Sequence, residues 1–364
     1  MTVLFEFLLE QYVDDFPELA PEQLSHDGIQ ATDVIELLGW EVKREEGALP
    51  IYGTHFDALG VRFLLEGSAR GEVEVTQKPG QAERVRDLVQ QLLNSHPPSR
   101  ATAETLRGIL GFARAQCFGR CGAASLHYLG ELIAGRQSNT TGVGTELLSF
   151  WPDYLERAAP RKVIARDSRK PILLFTDGAE EGVDPHVEVS IGGVLVDPEA
   201  TDTRDLTPKG PTTHLQKNCR TGGRRAFGGK VPGDVVESWR AAAGTTRVIH
   251  QAELYPILVA TRLWRERLAG RRVLVFVDNE PARAALIKGA TSALASARIV
   301  GEIWKNLAEI EAHIWVERVP SRSNPADGPS RDDWTWLEER GFLTDPTPSL
   351  VDYRVGRKSS QATS

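Results

Sequence analysis

The sequence has little cysteine and no cysteine pattern that would support a disulfide-bonded fold. Only three cysteines occur among 364 residues, and this small, odd number favours a reducing compartment, either cytoplasm or nucleus. Cys117 and Cys121 lie near His127 and could begin a metal site, but no fourth ligand is evident. Because free cysteine is among the most buried residue types, we interpret these residues as buried thiols rather than zinc ligands.

The sequence also lacks any segment that resembles a membrane span or a signal peptide. No apolar run approaches the roughly 20 residues that cross a bilayer. The apolar N-terminus carries Glu6 and Glu10, and it lacks the basic region and the small-residue cleavage site of a signal peptide. We therefore expect a soluble protein.

Basic residues are outnumbered by acidic ones, and the formal net charge is −7. This charge argues against a protein whose whole surface binds a polyanion, although it leaves room for a local basic strip. With 41% hydrophobic and 26% charged residues, most of the chain should be able to bury a core.

The N-terminal part of the chain predicts a small α+β unit followed by helices. Residues 1–78 contain short strand and helix signals separated by glycines. Residues 79–140 carry apolar side chains at helical spacing, which predicts packing helices, with Thr102 as the candidate N-cap of the second. Residues 141–167 begin with a polar, glycine-containing stretch and are interpreted as a linker.

The remainder predicts an α/β domain at 168–345 and a disordered tail at 346–364. Two strand-like segments, PILLFTD and HVEVSIGGVLVDP, come first. After a basic irregular stretch, helices alternate with strands, and a last helix starts at Asn324. Paired strands followed by alternating helices and strands predict a mixed sheet flanked by helices.

Four carboxylates stand at the ends of these predicted elements. Asp177 and Asp278 end hydrophobic strands, Glu253 lies in the first turns of a helix, and Asp327 opens the last helix. Since ligands gather where loops leave the strands of an α/β sheet, these side chains can converge at one place. Like charges at close range are tolerable only if cations neutralise them.

Hard oxygen ligands of this kind favour Mg²⁺ or Mn²⁺ over zinc. Two such ions could activate a water on one side of a phosphodiester and stabilise the leaving oxygen on the other. The four carboxylates therefore predict a two-metal catalytic centre that hydrolyses a nucleic-acid backbone. Taken singly, each has an ordinary alternative: a turn residue at Asp177, a solvent-facing side chain at Glu253, and helix N-caps at Asp278 and Asp327.

The sequences around the four carboxylates, FTDGA, QAELYP, VFVDNEPA and VPSRSNPADGPSR, resemble the ribonuclease H domains of retrotransposons, most closely those of DIRS-like elements. The resemblance covers roughly residues 168–340. It implies a five-stranded mixed sheet with flanking helices and hydrolysis of the RNA strand of an RNA–DNA hybrid. Many cellular enzymes of this type carry a histidine near the last aspartate, and its lack here predicts slower proton transfer or use of a solvent proton.

Near the N-terminus, Tyr12-Val13-Asp14-Asp15 resembles the YxDD motif of the reverse-transcriptase palm, whose aspartates bind polymerase metal ions. By the same resemblance, the helices from 83 to 135 correspond to the thumb and connection regions. Asp14 and Asp15 are then the remnant of a polymerase metal site in a truncated palm. Because the fingers and the other palm aspartate have no counterpart before Tyr12, we expect no polymerase activity from this chain alone.

A basic stretch, TPKGPTTHLQKNCRTGGRRAFGGK, lies between the second strand and the helix of Glu253. Flexible Lys and Arg side chains can neutralise phosphates without reading the bases. We predict a nucleic-acid-binding loop, and the alternative is a solvated insertion. Its basic residues are Lys209, Lys217, Arg220, Arg224, Arg225 and Lys230.

Two other functions compete with a hybrid-cleaving nuclease. The chain could be an inactive, nucleic-acid-binding relic of a retroelement, which the truncated palm favours. It could also be a polymerase subunit that needs a partner reverse-transcriptase subunit to complete its palm. The complete set of four carboxylates favours retained nuclease chemistry.

Overall fold

The structure of the chain is a computed structural model that describes residues 8–9, 18–19, 36–37, 39, 53–58, 60–114, 119–136, 143–164, 167–183, 186–200, 222–243, 247–291 and 294–346. Contacts divide the chain into two units. The first comprises Met1–Gln81 and Pro160–Arg166, and the second comprises Ala82–Ala159 and Asp167–Ser364.

The first unit contains a four-stranded antiparallel sheet in the order β3-β4-β5-β6. Its strands are β3 (His55–Ala58), β4 (Val61–Leu64), β5 (Glu72–Gln77) and β6 (Arg161–Ile164). Phe56, Phe63 and Val75 form one row across three strands, and the two phenylalanine rings stack with centroids 4.9 Å apart. A separate antiparallel pair joins β1 (Leu8–Leu9) to β2 (Glu18–Leu19). The YVDD motif, with Asp14 and Asp15, lies outside the described residues.

Four helices open the second unit: α1 (Gln81–Asn94), α2 (Arg100–Ala113), α3 (Ala123–Ile133) and α4 (Val143–Arg157). The helices predicted from the apolar periodicity are confirmed. The N-cap of α2 is Ser99 rather than Thr102, because the Ser99 hydroxyl accepts the backbone N–H of Thr102 at 3.3 Å. Cys121 is buried, as predicted, and burial raises the pKa of its thiol to about 12. Cys117 and Cys219 lie outside the described residues.

The stretch expected to be a linker is folded over most of its length. Residues 143–157 form α4, which buries Leu148, Trp151 and Leu155, and β6 pairs with β5 of the first unit. The polar beginning of the stretch suggested a loop, but the apolar residues that follow it recur at helical spacing. This finding replaces the linker with a packed helix and a strand.

A mixed six-stranded sheet in the order β11-β10-β7-β8-β9-β12 forms the centre of the second unit. Strands β7, β10 and β11 run parallel, and β8 is antiparallel to β7 and β9. The predicted mixed sheet is confirmed, with a two-residue strand, β12, added at one edge. The strands are β7 (Ile172–Val183), β8 (His186–Val196), β9 (Arg224–Lys230), β10 (Arg272–Val277), β11 (His313–Arg318) and β12 (Leu343–Thr344).

Helices flank this sheet, and the predicted α/β fold class is confirmed. They are α5 (Gly233–Ala243), α6 (Ile249–Leu263), α7 (Arg265–Leu268), α8 (Glu280–Lys288), α9 (Leu294–Glu309), α10 (Asp327–Ser330) and α11 (Thr335–Glu339). Helix α6 lies against β7 and β8, and it is buried from Gln251 to Thr261. The main core lies between the sheet and this helical layer. A smaller apolar cluster, which includes Ala226, Ala326 and Leu337, packs on the other face.

Three elements differ from the sequence interpretation. The end of the basic stretch forms β9, whose Ala226 and Phe227 are buried, and α5 follows it. The expected last helix is two short helices instead, because Gly328 and Pro329 stand inside the first of them and Asp332 has a positive φ of 62°.

In the described part of the chain, no helix has the length and apolar character that crossing a bilayer requires.

Candidate metal centre

Two neighbouring parallel strands bring Asp177 and Asp278 together. Phe175 on β7 pairs in register with Phe276 on β10, and their rings stack with centroids 4.6 Å apart. Asp177 and Asp278 each stand two residues after these phenylalanines in the sequence. Side chains in a strand alternate between the faces of the sheet, so Asp177 lies on the same face as Phe175. Asp278 directly follows the end of β10.

Glu253 reaches the same place because α6 docks unusually closely on β7. A Cβ atom at Gly178 would lie 2.2 Å from the carbonyl oxygen of Ala252, so only glycine permits this approach. The N-cap residue of α6, Val248, has no capping side chain of its own. Instead, Glu180 on β7 accepts the backbone N–H of Val248 at 2.9 Å. The Asp-Gly-Ala-Glu sequence on β7 therefore carries one carboxylate and positions the helix that carries another.

Asp177, Glu253 and Asp278 each offer a carboxylate oxygen, and these three oxygens all lie within 4.8 Å of one another. Asp177 and Glu253 are buried, with exposures of 4% and 6%. Glu253 Oε2 and Asp278 Oδ1 are buried and have no hydrogen-bond partner among the described residues. Buried acceptors without donors are rare and unfavourable, so this group of oxygens fits a bound cation.

The protonation behaviour of the group fits the same interpretation. Burial, with the nearby charges of Asp278 and Asp177 adding to it, raises the pKa of Glu253 to about 9. Burial also raises the pKa of Asp177 to about 6, and the charges of Asp278 and Asp327 act in the same direction. A divalent cation would favour the ionised carboxylates, and hard oxygen ligands suit Mg²⁺ or Mn²⁺.

Asp327 is not part of this group of three. Its carboxylate accepts a hydrogen bond from Arg331 Nε at 2.9 Å, and its side chain is 44% exposed. It is still near enough for its charge to contribute to the raised pKa of Asp177. A role for Asp327 as a fourth ligand remains a prediction.

Solved structures that are similar to this chain include two RNase H proteins. One is RNase H1 from the halophilic archaeon Halobacterium salinarum NRC-1, which is 14% identical; the match covers 47% of this chain and 99% of that chain, with a TM-score of 0.30. The other is the N-terminal RNase H domain of a Mycobacterium tuberculosis protein, solved as a fusion with maltose-binding protein. It is 13% identical, and the match covers 47% of this chain and 97% of that chain, with a TM-score of 0.29. No protein-family model and no curated protein matches the chain.

The described basic residues belong to strand β9 rather than to a loop, and they have partners within the domain. Arg225 forms an ion pair with Asp345 at 3.4 Å, and both side chains are largely buried. Arg224 donates to the carbonyl oxygen of Arg340. Lys230 pairs with Glu188, and this pair is exposed. Lys209, Lys217 and Arg220 lie outside the described residues. Phosphate binding by this set remains a prediction.

Sequence reasoning missed two neutral side chains that contact Asp177. Asn324 donates to the carbonyl oxygen of Thr176 at 3.0 Å and faces Asp177 Oδ1 at 3.5 Å. The Ser330 hydroxyl donates to Asp177 Oδ2. Both residues belong to the motif NPADGPS. From this motif Asp327 was selected as a candidate, because carboxylates are the expected metal ligands. Their position on either side of Asp327 was the available signal.

Proposed function

We propose that this protein is a metal-dependent nuclease that hydrolyses the RNA strand of RNA–DNA hybrids, and that it derives from a retroelement. The observation that carries this proposal is the convergence of carboxylate oxygens of Asp177, Glu253 and Asp278 within 4.8 Å of one another. Two buried oxygens of this group receive no hydrogen bond from the residues that the structure describes. The choice of substrate rests on the resemblance of the four carboxylate motifs to ribonuclease H domains of retrotransposons.

The three carboxylates of the centre share one task in this reaction, which is to hold metal ions. When bound, a pair of Mg²⁺ ions would supply Lewis-acid activation of water and neutralisation of charge on the phosphodiester. Asp177, Glu253 and Asp278 would hold the ions, and their attachment to β7, α6 and β10 fixes their relative positions. The burial of Asp177 and Glu253 limits competing water, which strengthens every electrostatic contact at the centre. Selection of RNA over DNA would depend on contacts to 2′-hydroxyl groups.

The proposal is tested with a labelled RNA–DNA hybrid and the full chain. We expect Mg²⁺-dependent cleavage of the RNA strand that EDTA abolishes and that Asp278→Asn lowers by about 10²–10³-fold. Asp87→Asn, an exposed aspartate on α1, is the matched control and should cleave normally. Parallel incubations with double-stranded RNA, double-stranded DNA and single-stranded RNA measure the substrate preference.

Two results would overturn the proposal at different levels. Absence of metal-dependent cleavage of any substrate by the folded protein would favour the inactive relic. Cleavage of double-stranded DNA in preference to the hybrid would keep the nuclease but refute its assignment to hybrids.

A further inference from the structure

Two glycines on neighbouring strands lie in register with Asp177 across the sheet. Asp177 pairs with Gly192 on β8, and Gly192 pairs with Gly228 on β9. A Cβ atom at Gly192 would lie 2.4 Å from the carbonyl oxygen of Ala326, and one at Gly228 would lie 2.4 Å from that of Pro329. The backbone of the segment from Asn324 to Ser330 therefore rests directly on the sheet backbone beside Asp177.

This close contact places two buried polar side chains on Asp177. Ser330 is 1% exposed and Asn324 is 5% exposed. Ser330 donates to Oδ2 of Asp177, while Asn324 lies 3.5 Å from Oδ1 and is itself fixed by its bonds to the backbone at Thr176 and Ala326. The two oxygens of Asp177 are thus approached by two different side chains of one segment.

The Ser330 hydroxyl has one proton and two acceptors within reach. Besides Asp177 Oδ2, the carbonyl oxygen of Asp327 lies 2.9 Å from Ser330 Oγ. A hydrogen bond to an ionised carboxylate is roughly twice as strong as one between neutral groups. Ser330 therefore donates to Asp177 whenever that carboxylate is ionised, which is the form that binds a cation.

Asp177 differs in this respect from the other two carboxylates of the centre. Within the described part of the chain, Glu253 and Asp278 each have a buried oxygen without a hydrogen-bond partner, whereas both oxygens of Asp177 face side-chain donors. We propose that Ser330 and Asn324 are positioning residues that hold the Asp177 carboxylate in the orientation that binds a divalent cation. This inference rests on the proposed function, because it presupposes that the three carboxylates bind a cation.

The test measures Mn²⁺ binding to the full chain by calorimetry and the Mg²⁺ concentration needed for half-maximal cleavage. Residues that orient metal-binding side chains typically contribute 10–100-fold to affinity, so we expect Ser330→Ala and Asn324→Ala each to weaken Mn²⁺ binding about tenfold or more. The Mg²⁺ requirement should rise by a similar factor, and the KM for the hybrid should change little. Ser330→Cys keeps the size of the side chain with a weaker donor and should fall between serine and alanine.

Two serine variants serve as matched controls. Ser296 on α9 is fully buried, and its hydroxyl has no hydrogen-bond partner among the described residues. Ser323 is exposed and directly precedes the segment from Asn324 to Ser330. Ser296→Ala and Ser323→Ala should bind Mn²⁺ with wild-type affinity. Circular dichroism checks that each variant is folded; if Ser330→Ala does not fold, Ser330→Cys and Asn324→Ala provide the comparison.

The outcomes separate this inference from the proposed function. Folded Ser330 and Asn324 variants with wild-type Mn²⁺ affinity would refute the positioning role, even if their stability were lower. A wild-type chain that binds Mn²⁺ but cleaves no nucleic acid would refute the nuclease, while the variants would still test positioning through Mn²⁺ binding. A wild-type chain that binds no Mn²⁺ would refute both.

Discussion

The carboxylates at the candidate metal centre are held in two different ways. Asp177, Glu253 and Asp278 stand on or beside regular elements that pack into the core, and their orientation follows from that packing. Asp327 stands on a four-residue helix, and its ion pair with Arg331 joins a 44% exposed carboxylate to a 57% exposed guanidinium side chain. Exposed pairs contribute only about 0–1 kcal/mol, so Asp327 can reorient at little cost. The core thus fixes three carboxylates and leaves one free to adjust.

The largest expected effect is the difference in cleavage rate between a variant of one buried carboxylate, Asp278, and the matching variant of the exposed Asp327. We expect Asp278→Asn to lower cleavage of the hybrid by about 10²–10³-fold, the cost of removing one electrostatic contact in a catalytic centre. Asp327→Asn should lower it by about tenfold, because its carboxylate lies outside the group of three. Single-turnover cleavage at saturating Mg²⁺ measures both. Equal losses in the two variants would show that Asp327 binds an ion as closely as the other three residues do.

The next largest effect is expected for a variant that displaces Glu253 from Asp177 and Asp278. Gly178→Ala places a methyl group against the Ala252 carbonyl, so α6 must move away from β7 and carry Glu253 with it. Overpacking of this kind typically destabilises a fold by about 1–3 kcal/mol. Thermal unfolding should show this loss, and metal-dependent cleavage should fall as well.

The control for Gly178→Ala is Gly301→Ala on α9. Apart from its chain neighbours and the backbone of its own helix, no atom of the described residues lies within 4 Å of a Cβ built at Gly301. Alanine favours a helix over glycine by about 0.5–1 kcal/mol. This variant should be as stable as the wild type or more so. If both variants behaved alike, the close approach of α6 to β7 would not explain how Glu253 is positioned.

The same contrast explains how much the sequence could predict. The buried strands and α6 have apolar patterns that identify them, and Asp177 and Asp278 follow such patterns directly. The role of Gly178 as a docking surface depends on a contact with Ala252, 74 positions away in the chain, which no local pattern records. Asn324 and Ser330 were missed for a related reason, since neutral side chains near a carboxylate resemble ordinary turn residues.

The elements that were missed also have physical causes. Strand β9 contains two glycines and three basic residues in seven positions, so its sequence has the composition of a loop. It is a strand because β8 supplies a hydrogen-bonding partner along its whole length, and because Gly228 leaves room for the segment around Pro329. Tertiary partners therefore override its low intrinsic strand preference.

A third prediction concerns the effect of buried Glu253 on the free energy of unfolding of the metal-free chain. The pKa of Glu253 is about 9 in the folded chain against an ordinary value of 4.5, so between these values the folded chain keeps a proton that the unfolded chain loses. Its contribution to stability is present at low pH and is lost as pH rises through this window. In EDTA, Glu253→Gln should therefore gain stability over the wild type, and the gain should grow by about 1 kcal/mol or more from about pH 5 to about pH 8.

Thermal unfolding at several pH values measures this gain, and Mg²⁺ supplies the control. Because the metal requires ionised ligands, it should stabilise the wild type increasingly as pH rises and should stabilise Glu253→Gln much less. A gain for Glu253→Gln that did not vary with pH would mean that Glu253 is already ionised in the metal-free fold.

The smallest expected effect comes from the exposed ion pair between Asp327 and Arg331. Arg331→Ala removes the only ion-pair partner that the described residues provide for Asp327, and the loss of stability should be no more than about 1 kcal/mol because both side chains are exposed. Arg331 competes with a cation for the Asp327 carboxylate. Mn²⁺ affinity should therefore stay the same or rise by less than about fivefold, which corresponds to that ~1 kcal/mol. Asp327→Asn should abolish any such rise, because the freed carboxylate is then absent. A fall in affinity for Arg331→Ala would mean instead that the pair with Arg331 holds Asp327 toward the metal centre, and that all four carboxylates are fixed.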